Sequence, residues 1–402
     1  MNMVLLINQP RLQTKWQAFL KGRIEAHPIN ISCVAFMFGI KPRTPHFWYK
    51  HYFSGFPEKV ASKTWWEKTI KIADKSTGEV IKEKQVPLAK QENVGTHMTI
   101  DEKMIGKKMY TVMTNLKSTK LAFIAESQNG EELKQAIREY FPETKRQEVT
   151  SISSDMSPTY KRISKELFPN AVVSIDKFHV IMHILDALQT VRKQVKAAVI
   201  LEQEQREAAA AQKAKEEAKQ KNKSAANSKT EAVSNESQMK EVPSKESIEE
   251  PTANGPIEGV SELEYLERSR YILCKREAVW ELEDKAIMGY LFDRYPILGK
   301  AYALTEKIRN WYDKKNIRKD IDFVERDLYD WFDDVIASKI PAFRAVRRMM
   351  EKHYDDIINY FREGHTNAKA ENMNGKIQRF MANNFGIRDR SFFFFRLVGY
   401  FS

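Results

Sequence analysis

Between His97 and Asp176 three apolar runs each stop at an acid: His97 to Asp101, Val149 to Asp155 and Ala171 to Asp176. A carboxylate at the end of a strand stands at a sheet edge where a ligand can reach it, and it is a hard oxygen donor that suits magnesium or manganese. Glu371 is a further acid of interest. Asn374, Lys376 and Arg379 follow it with hydrogen-bond donors within one or two helical turns, a pattern suited to a phosphate backbone. Two of these acids have rivals. Glu102 follows Asp101, and because side chains alternate along a strand only one of the two can face a site. Asp155 and Asp176 both precede helices, where an aspartate commonly serves as an N-cap. Asp176 and His179 form an Asp-x-x-His pair that reads as a cap and as outer support for metal ligands.

The elements that must hold these acids follow in order. Lys108 to Thr114 and Leu121 to Ala125 are strand-like runs separated by the turn-prone Asn115 to Lys120. Asn129 caps a helix over Glu131 to Tyr140, in which Leu133, Ala136, Ile137 and Tyr140 recur at helical spacing. Pro158 restarts the chain as a helix after Asp155. The order of strand, strand, strand, helix, strand, helix, strand predicts an α/β fold, a mixed sheet with flanking helices in the RNase H-like layout. In that layout the carboxylates after the first and fourth strands converge. Asp101 and Asp155 are therefore the predicted catalytic pair, placed to hold two divalent ions that stabilise the attacking and leaving oxygens of a phosphodiester.

Longer motifs are more specific than this spacing. Asp101-Glu102, Asp155 to Tyr160, Pro169-Asn170-Ala171 running to Asp176-Lys177-Phe178-His179, and Glu371 to Ile377 followed by Gly386-Ile387-Arg388 occur in one order along the chain. Through these segments the chain resembles the DDE transposases of the ISL-three family of bacterial insertion sequences. The resemblance selects Asp101 over Glu102. It implies a catalytic, metal-binding triad of Asp101, Asp155 and Glu371 that uses Mg2+ or Mn2+. It further implies DNA as partner, both terminal inverted repeats and target DNA, a homo-oligomer assembled on that DNA, and a bacterial, nucleoid-associated setting. Asn372 stands where the family has glycine, and Lys177 where it has arginine. The family's usual Cys-x-x-Cys zinc ribbon has no counterpart in Cys33 and Cys274, which are too few and too distant for a four-ligand site, so no zinc is expected.

Ahead of the core, Leu12 to Ala26 reads as an amphipathic helix. Ile31 to Phe38, the turn at Gly39 and the Thr44-Pro45 start of a second helix predict a helix-turn-helix over residues 30–54. Its Arg43, His46 and Lys50 are the predicted base-reading residues, Lys41 is placed for a phosphate, and Phe47 and Trp48 are assigned to the core. Ala61 to Ala73 is predicted as helix, Lys75 to Glu79 as a turn and Lys82 to Glu92 as a polar linker, which closes an N-terminal region over 1–90 before a core over 91–201. A helix begins at Phe178 and continues through the charged run Glu202 to Lys223. Ser224 to Gly259 is too poor in apolar groups to offset chain entropy, so 202–262 reads as a charged insertion, disordered in that second part. Amphipathic patterns over Leu263–Arg276, Trp280–Phe292, Tyr295–Asn316, Ile321–Ser338 and Pro341–Arg362 predict an all-helical insertion domain at 263–362, followed by C-terminal core helices at 363–402. Ser391 to Leu397, with its run of phenylalanines, is assigned to core packing.

Composition narrows the class. At 402 residues and 42% hydrophobic the chain can fill more than one core, and its net charge of +12 favours a polyanionic partner without naming one. Two cysteines exclude a disulfide scaffold and suit a reducing cytoplasm, and no apolar run is long enough to span a membrane. The predicted function is a transposase that binds the ends of an insertion sequence, cuts them and joins them to target DNA. The competing readings are a catalytically inactive or domesticated DNA-binding protein, and a hydrolytic nuclease of the same fold.

Overall fold

The computed structural model describes residues 18–25, 31–37, 41, 43–61, 68–73, 77, 79–86, 90–227, 257, 259–313, 316, 320–364, 368–384 and 389–401. Within them, helices are α1 (residues 18–25), α2 (Ile31–Met37), α3 (Arg43–Trp48, continued by a π turn over Tyr49–Phe53), α4 (Phe56–Ala61), α5 (Gly130–Tyr140), α6 (Glu143–Gln147), α7 (Pro158–Leu167) and α8 (Lys177–Asn227). They continue as α9 (Glu262–Ile272), α10 (Leu282–Arg294), α11 (Pro296–Trp311), α12 (Ile321–Ser338), α13 (Pro341–Lys352), α14 (Tyr354–Glu363), α15 (Ala368–Asn383) and α16 (Arg390–Tyr400). Strands are β1 (Lys68–Ala73), β2 (Val80–Val86), β3 (His97–Ile105), β4 (Lys108–Asn115), β5 (Lys120–Ala125), β6 (Ser151–Ser154) and β7 (Val172–Ile175). The chain divides into two compact units: Met1–Val180 with Ile317–Ile321 and His353–Ser402, and Ile181–Asn316 with Asp322–Lys352.

The first unit is organised by a five-stranded mixed sheet in the order β5-β4-β3-β6-β7, with β3, β4 and β5 antiparallel and β6 and β7 parallel to β3. Local signals make each connection. Gly106 takes φ of +67° in the β3–β4 turn, a conformation glycine adopts without a Cβ clash. Asn115 Oδ1 accepts from the amides of Lys117 and Ser118 to shape the next turn, and Asn129 caps α5 by accepting from those of Glu131 and Glu132. The pleat then sorts side chains into two cores. Met98, Ile100, Met113 and Phe123 pack with Leu133 and Ile137 of α5 and Tyr160 and Ile163 of α7. Ile105, Tyr110, Val112 and Ile124 pack on the other side with Met373 and Ile377 of α15 and Phe394 and Leu397 of α16. Fully burying one such side chain stabilises the fold by about 1.5–3 kcal/mol. At the sheet's far edge Asn359 of α14 donates to the Val173 carbonyl at 2.9 Å, and Asp356 pairs with Lys161 of α7.

A third core explains the phenylalanine run. Phe393 and Phe394 belong to the cluster on the sheet, whereas Phe392, one step round α16, meets Leu20 and Ile24 of α1, Val34 of α2, Tyr49 and Phe56, with Phe395 alongside. The N-terminal helices thus share a core with the last helix, and Lys50 forms an ion pair with Asp389, the N-cap of α16. In the second unit Arg192 reaches the Leu266 carbonyl at 2.8 Å, and the indole N–H groups of Trp311 and Trp331 donate to Val324 and Leu304 at 2.8 and 2.9 Å.

Several sequence expectations need correction. The predicted helix over Ala61–Ala73 is instead the end of α4 and, from Lys68, strand β1; the predicted linker from Lys82 holds β2, which pairs antiparallel with β1. The alternation in Lys68-Thr69-Ile70-Lys71-Ile72 is the period-2 signal that outweighs the helical spacing. Phe47 is 50% exposed, and the buried aromatic of that helix is Tyr49 at 3%. The helix read through Pro341–Arg362 breaks at His353, and the second unit ends at Lys352. Of the stretch predicted disordered, 224–227 continue α8, and 228–256 lie outside the described residues.

Candidate functional site

Strand β3 is paired with β4 over nearly its whole length but with β6 only at its start. The parallel ladder runs from His97 opposite Ser151 to Ile100 opposite Ser154, and β6 in turn ends with Ser154 opposite Ile175 of β7. Asp101, Asp155 and Asp176 are the next residues on the three strands, so they form a row one step past the last rung. Asp101 is not at the end of its strand, as the sequence predicted, because β3 continues four residues further along β4. It is terminal only toward β6.

A cavity of about 330 Å³ opens at this row, and its walls include Asp101, Asp155, Asp176, His179, Asn374 and Gly375. The pleat decides between the two adjacent acids. Asp101 lies opposite Val112 and shares its face with Lys103, also a wall residue, and with Ile105 on the α15 side. Glu102 lies opposite Thr111 and faces α7. Lys103 was missed in the sequence, although it lies two residues from Asp101 on the same face of a strand.

Both Asp155 and Asp176 accept from an amide two residues on, Ser157 at 2.8 Å and Phe178 at 3.1 Å; Asp176 directly precedes α8, whereas Asp155 stands two residues before Ser157, the N-cap of α7. Their environments differ. Burial, reinforced by the charges of Asp101 and Glu102, raises the Asp155 carboxyl above the usual carboxylate range, against the opposing pull of the Ser157 amide and His179. A bound cation relieves that combination of desolvation and like-charge repulsion, so the donor set fits a hard divalent ion. Asp176 is 6% exposed, and its charge, after burial itself, helps push the Tyr360 hydroxyl up to about 12.

Asn374 of α15 donates its amide to Asp101 Oδ2, a contact the sequence had assigned to DNA. The backbone at 371 belongs to α15 one turn earlier, and helical periodicity puts position 371 on the face shared by 374 and 375. The Glu371 side chain lies outside the described residues. Among the described residues no group of three or more His, Cys, Asp or Glu is clustered closely enough to hold a metal. Lys376 is half-buried and Arg379 exposed further along α15.

The predicted DNA-reading residues are divided by the structure. Lys41 and Arg43 are exposed, and His46 lies edge-on to Phe392 at 5.6 Å between ring centres. Lys50 is committed: besides its pair with Asp389 it lies 5.7 and 5.8 Å from the ring centres of Phe56 and Phe392. Burial raises the Asp389 carboxyl, but Lys50 and the Phe392 amide outweigh it and hold the group below the usual range. Gly386, Ile387 and Arg388 lie outside the described residues.

An α/β protein with aspartates in a row across a mixed sheet, faced across one cavity by Asn374 and Gly375 of α15, is of the class that binds ligands at strand ends. The family model of the ISL-three DDE transposases, described as transposase, matches residues 98–397, and the chain belongs to that family. Its work is therefore DNA transposition and recombination. Comparison with curated proteins and with solved structures gives no match. Among the described residues no helix is long and apolar enough to cross a membrane.

Proposed function

We propose that this transposase binds the ends of its insertion sequence and catalyses metal-dependent cleavage and strand transfer at Asp101, Asp155 and Glu371 on an RNase H-like core. The observation that carries the reading is the alignment of Asp101 with Asp155, one step past the ladder and on the wall of one cavity, with Asp155 raised by burial and like charge. Divalent ions bound there would supply Lewis acidity for phosphodiester chemistry; Asp101 and Asp155 would hold them, with Glu371 completing the set from α15. Asn374 orients the Asp101 carboxylate, and Asp176 and His179 support the row from the β7 side. The half-buried Lys376 and the exposed Arg379 on α15 are assigned to the phosphate backbone, which fixes register without reading sequence. Helices α2 and α3 form the helix-turn-helix, with Arg43 and His46 for base edges and Lys41 for a phosphate. Lys50 anchors this unit through Asp389.

The test is an assay on a mini-element with both ends, scored for nicked ends and for joined products in Mg2+ and Mn2+. The reading expects free 3′-hydroxyl ends followed by joining, both lost in Asp101→Asn, Asp155→Asn and Glu371→Gln while end binding persists. Cleavage without joining points to a hydrolytic nuclease, and binding without cleavage in wild type to an inactive DNA-binding derivative.

A further inference from the structure

The β3–β6 ladder stops at Ile100 and Ser154, so no inter-strand rung lies between Asp101 and Asp155 themselves. Beyond that rung the ladder no longer ties the two strands directly, which leaves the fine spacing of the two carboxylates open to a further tie. The contacts on the opposite face of the sheet supply it. Glu102, turned away from the cavity, accepts from the Tyr160 hydroxyl at 3.1 Å on Oε1 and from Gln128 Nε2 at 2.7 Å on Oε2. Thr111, directly opposite Glu102 on β4, brings its Oγ1 to 3.1 Å from the same hydroxyl and also lies 2.7 Å from the Ser127 carbonyl. A phenol has one proton to donate, and the ionised carboxylate is the stronger acceptor.

Tyr160 is 1% exposed and sits in the first turn of α7, the helix that Asp155 leads into through its bond to the Ser157 amide. The segment from Asp155 to Tyr160 is therefore short and locked at both ends. Its far end is fastened to the residue next to Asp101. We propose that the Tyr160–Glu102 hydrogen bond is a positioning strap that sets the separation of the Asp101 and Asp155 carboxylates, and with it the affinity of the site for a divalent cation. The inference rests on reading these two acids as a cation site. It makes Tyr160 and Glu102 positioning residues, and it gives the Asp155-to-Tyr160 and Asp101-Glu102 segments one shared physical purpose.

The experiment titrates Mn2+ into the full-length protein by calorimetry, comparing wild type with Tyr160→Phe, Glu102→Gln and Asp155→Asn. Loss of the strap should weaken Mn2+ binding about 10-fold in Tyr160→Phe, in the range typical of groups that orient metal ligands. Glu102→Gln keeps an oxygen acceptor and should weaken it less. Both should bind end DNA as wild type, and both should recover cleavage as Mn2+ is raised. A purely structural tyrosine would lower the melting temperature and leave Mn2+ affinity unchanged; that result overturns the strap. Should Tyr160→Phe fail to fold, the same comparison is made on Glu102→Gln. Glu102→Gln losing Mn2+ entirely while Tyr160→Phe binds normally would make Glu102 a ligand and also overturn it. Wild-type Mn2+ binding in Asp155→Asn would instead sink the cation site, and the strap with it.

Discussion

Strands β6 and β7 are neighbouring four-residue parallel strands, and each runs directly into an aspartate that accepts an amide hydrogen bond from two residues further on. Locally Asp155 and Asp176 are the same device. They differ in their position across the sheet: β6 lies beside β3 and puts Asp155 next to Asp101, whereas β7 is one strand further out and puts Asp176 beside the buried Tyr360. One aspartate is thereby pressed against like charge, and the other is enclosed as an internal support. The same local chemistry meets two environments through strand order.

The largest effect should come from the ligand side of this comparison. Asp155→Asn is expected to slow end cleavage by about 1000-fold or more, since several kcal/mol of charge stabilisation are lost with a metal ligand. Asp176→Asn keeps a capping oxygen, and asparagine and aspartate are near-equal N-caps, so it should cost about tenfold or less. Single-turnover cleavage of a labelled end duplex measures both. A dead Asp176→Asn beside an active Asp155→Asn would reverse the comparison.

Removing the metal should reproduce the Asp155 phenotype chemically. Chelation is expected to abolish cutting of wild-type protein while a mobility-shift assay still shows the end duplex bound, because binding depends on cationic contacts elsewhere. Loss of binding and cutting together would mean the carboxylates organise the DNA interface as well.

Smaller effects test the cations. Arg43→Ala should lower discrimination between end and scrambled duplex about 10-fold, the value of a base contact worth roughly 1–3 kcal/mol. Lys50→Ala should leave that ratio unchanged and lower thermal stability, since the ammonium is committed to Asp389. The sign of its pH dependence follows from the depressed Asp389 carboxyl. The pair contributes above the ordinary aspartate range and is lost as pH falls through the depressed value, so Lys50→Ala and wild type should converge in melting temperature toward strong acid.

The smallest effect concerns the metal-free protein and has the opposite sign. A carboxyl raised in the folded state favours folding when protonated, and that contribution is lost as pH rises through its folded value. Metal-free Asp155→Asn should therefore melt at or above wild type at neutral pH, with the advantage vanishing below the ordinary aspartate range.

The sequence by itself determined what depends on near neighbours. The apolar and strand-like runs of β3 to β5, the Asn129 cap, Pro158 at the head of α7 and the order of motifs were all legible, because propensity and capping act over a few residues. The motifs carried the resemblance to the family to which the chain belongs, and that resemblance made Asp101, Asp155 and Glu371 the candidate triad. Short range was also where the reading failed: Lys68–Ala73 satisfies helical and strand periods at once, and pairing with Val80–Val86 makes it a strand. Tertiary structure alone decided that Asn374 meets a carboxylate, that Lys50 is consumed by Asp389, and that Tyr160 reaches Glu102. Each of these joins residues far apart in the chain or in different elements. Their meeting depends on strand order and helix packing, which short-range patterns do not encode.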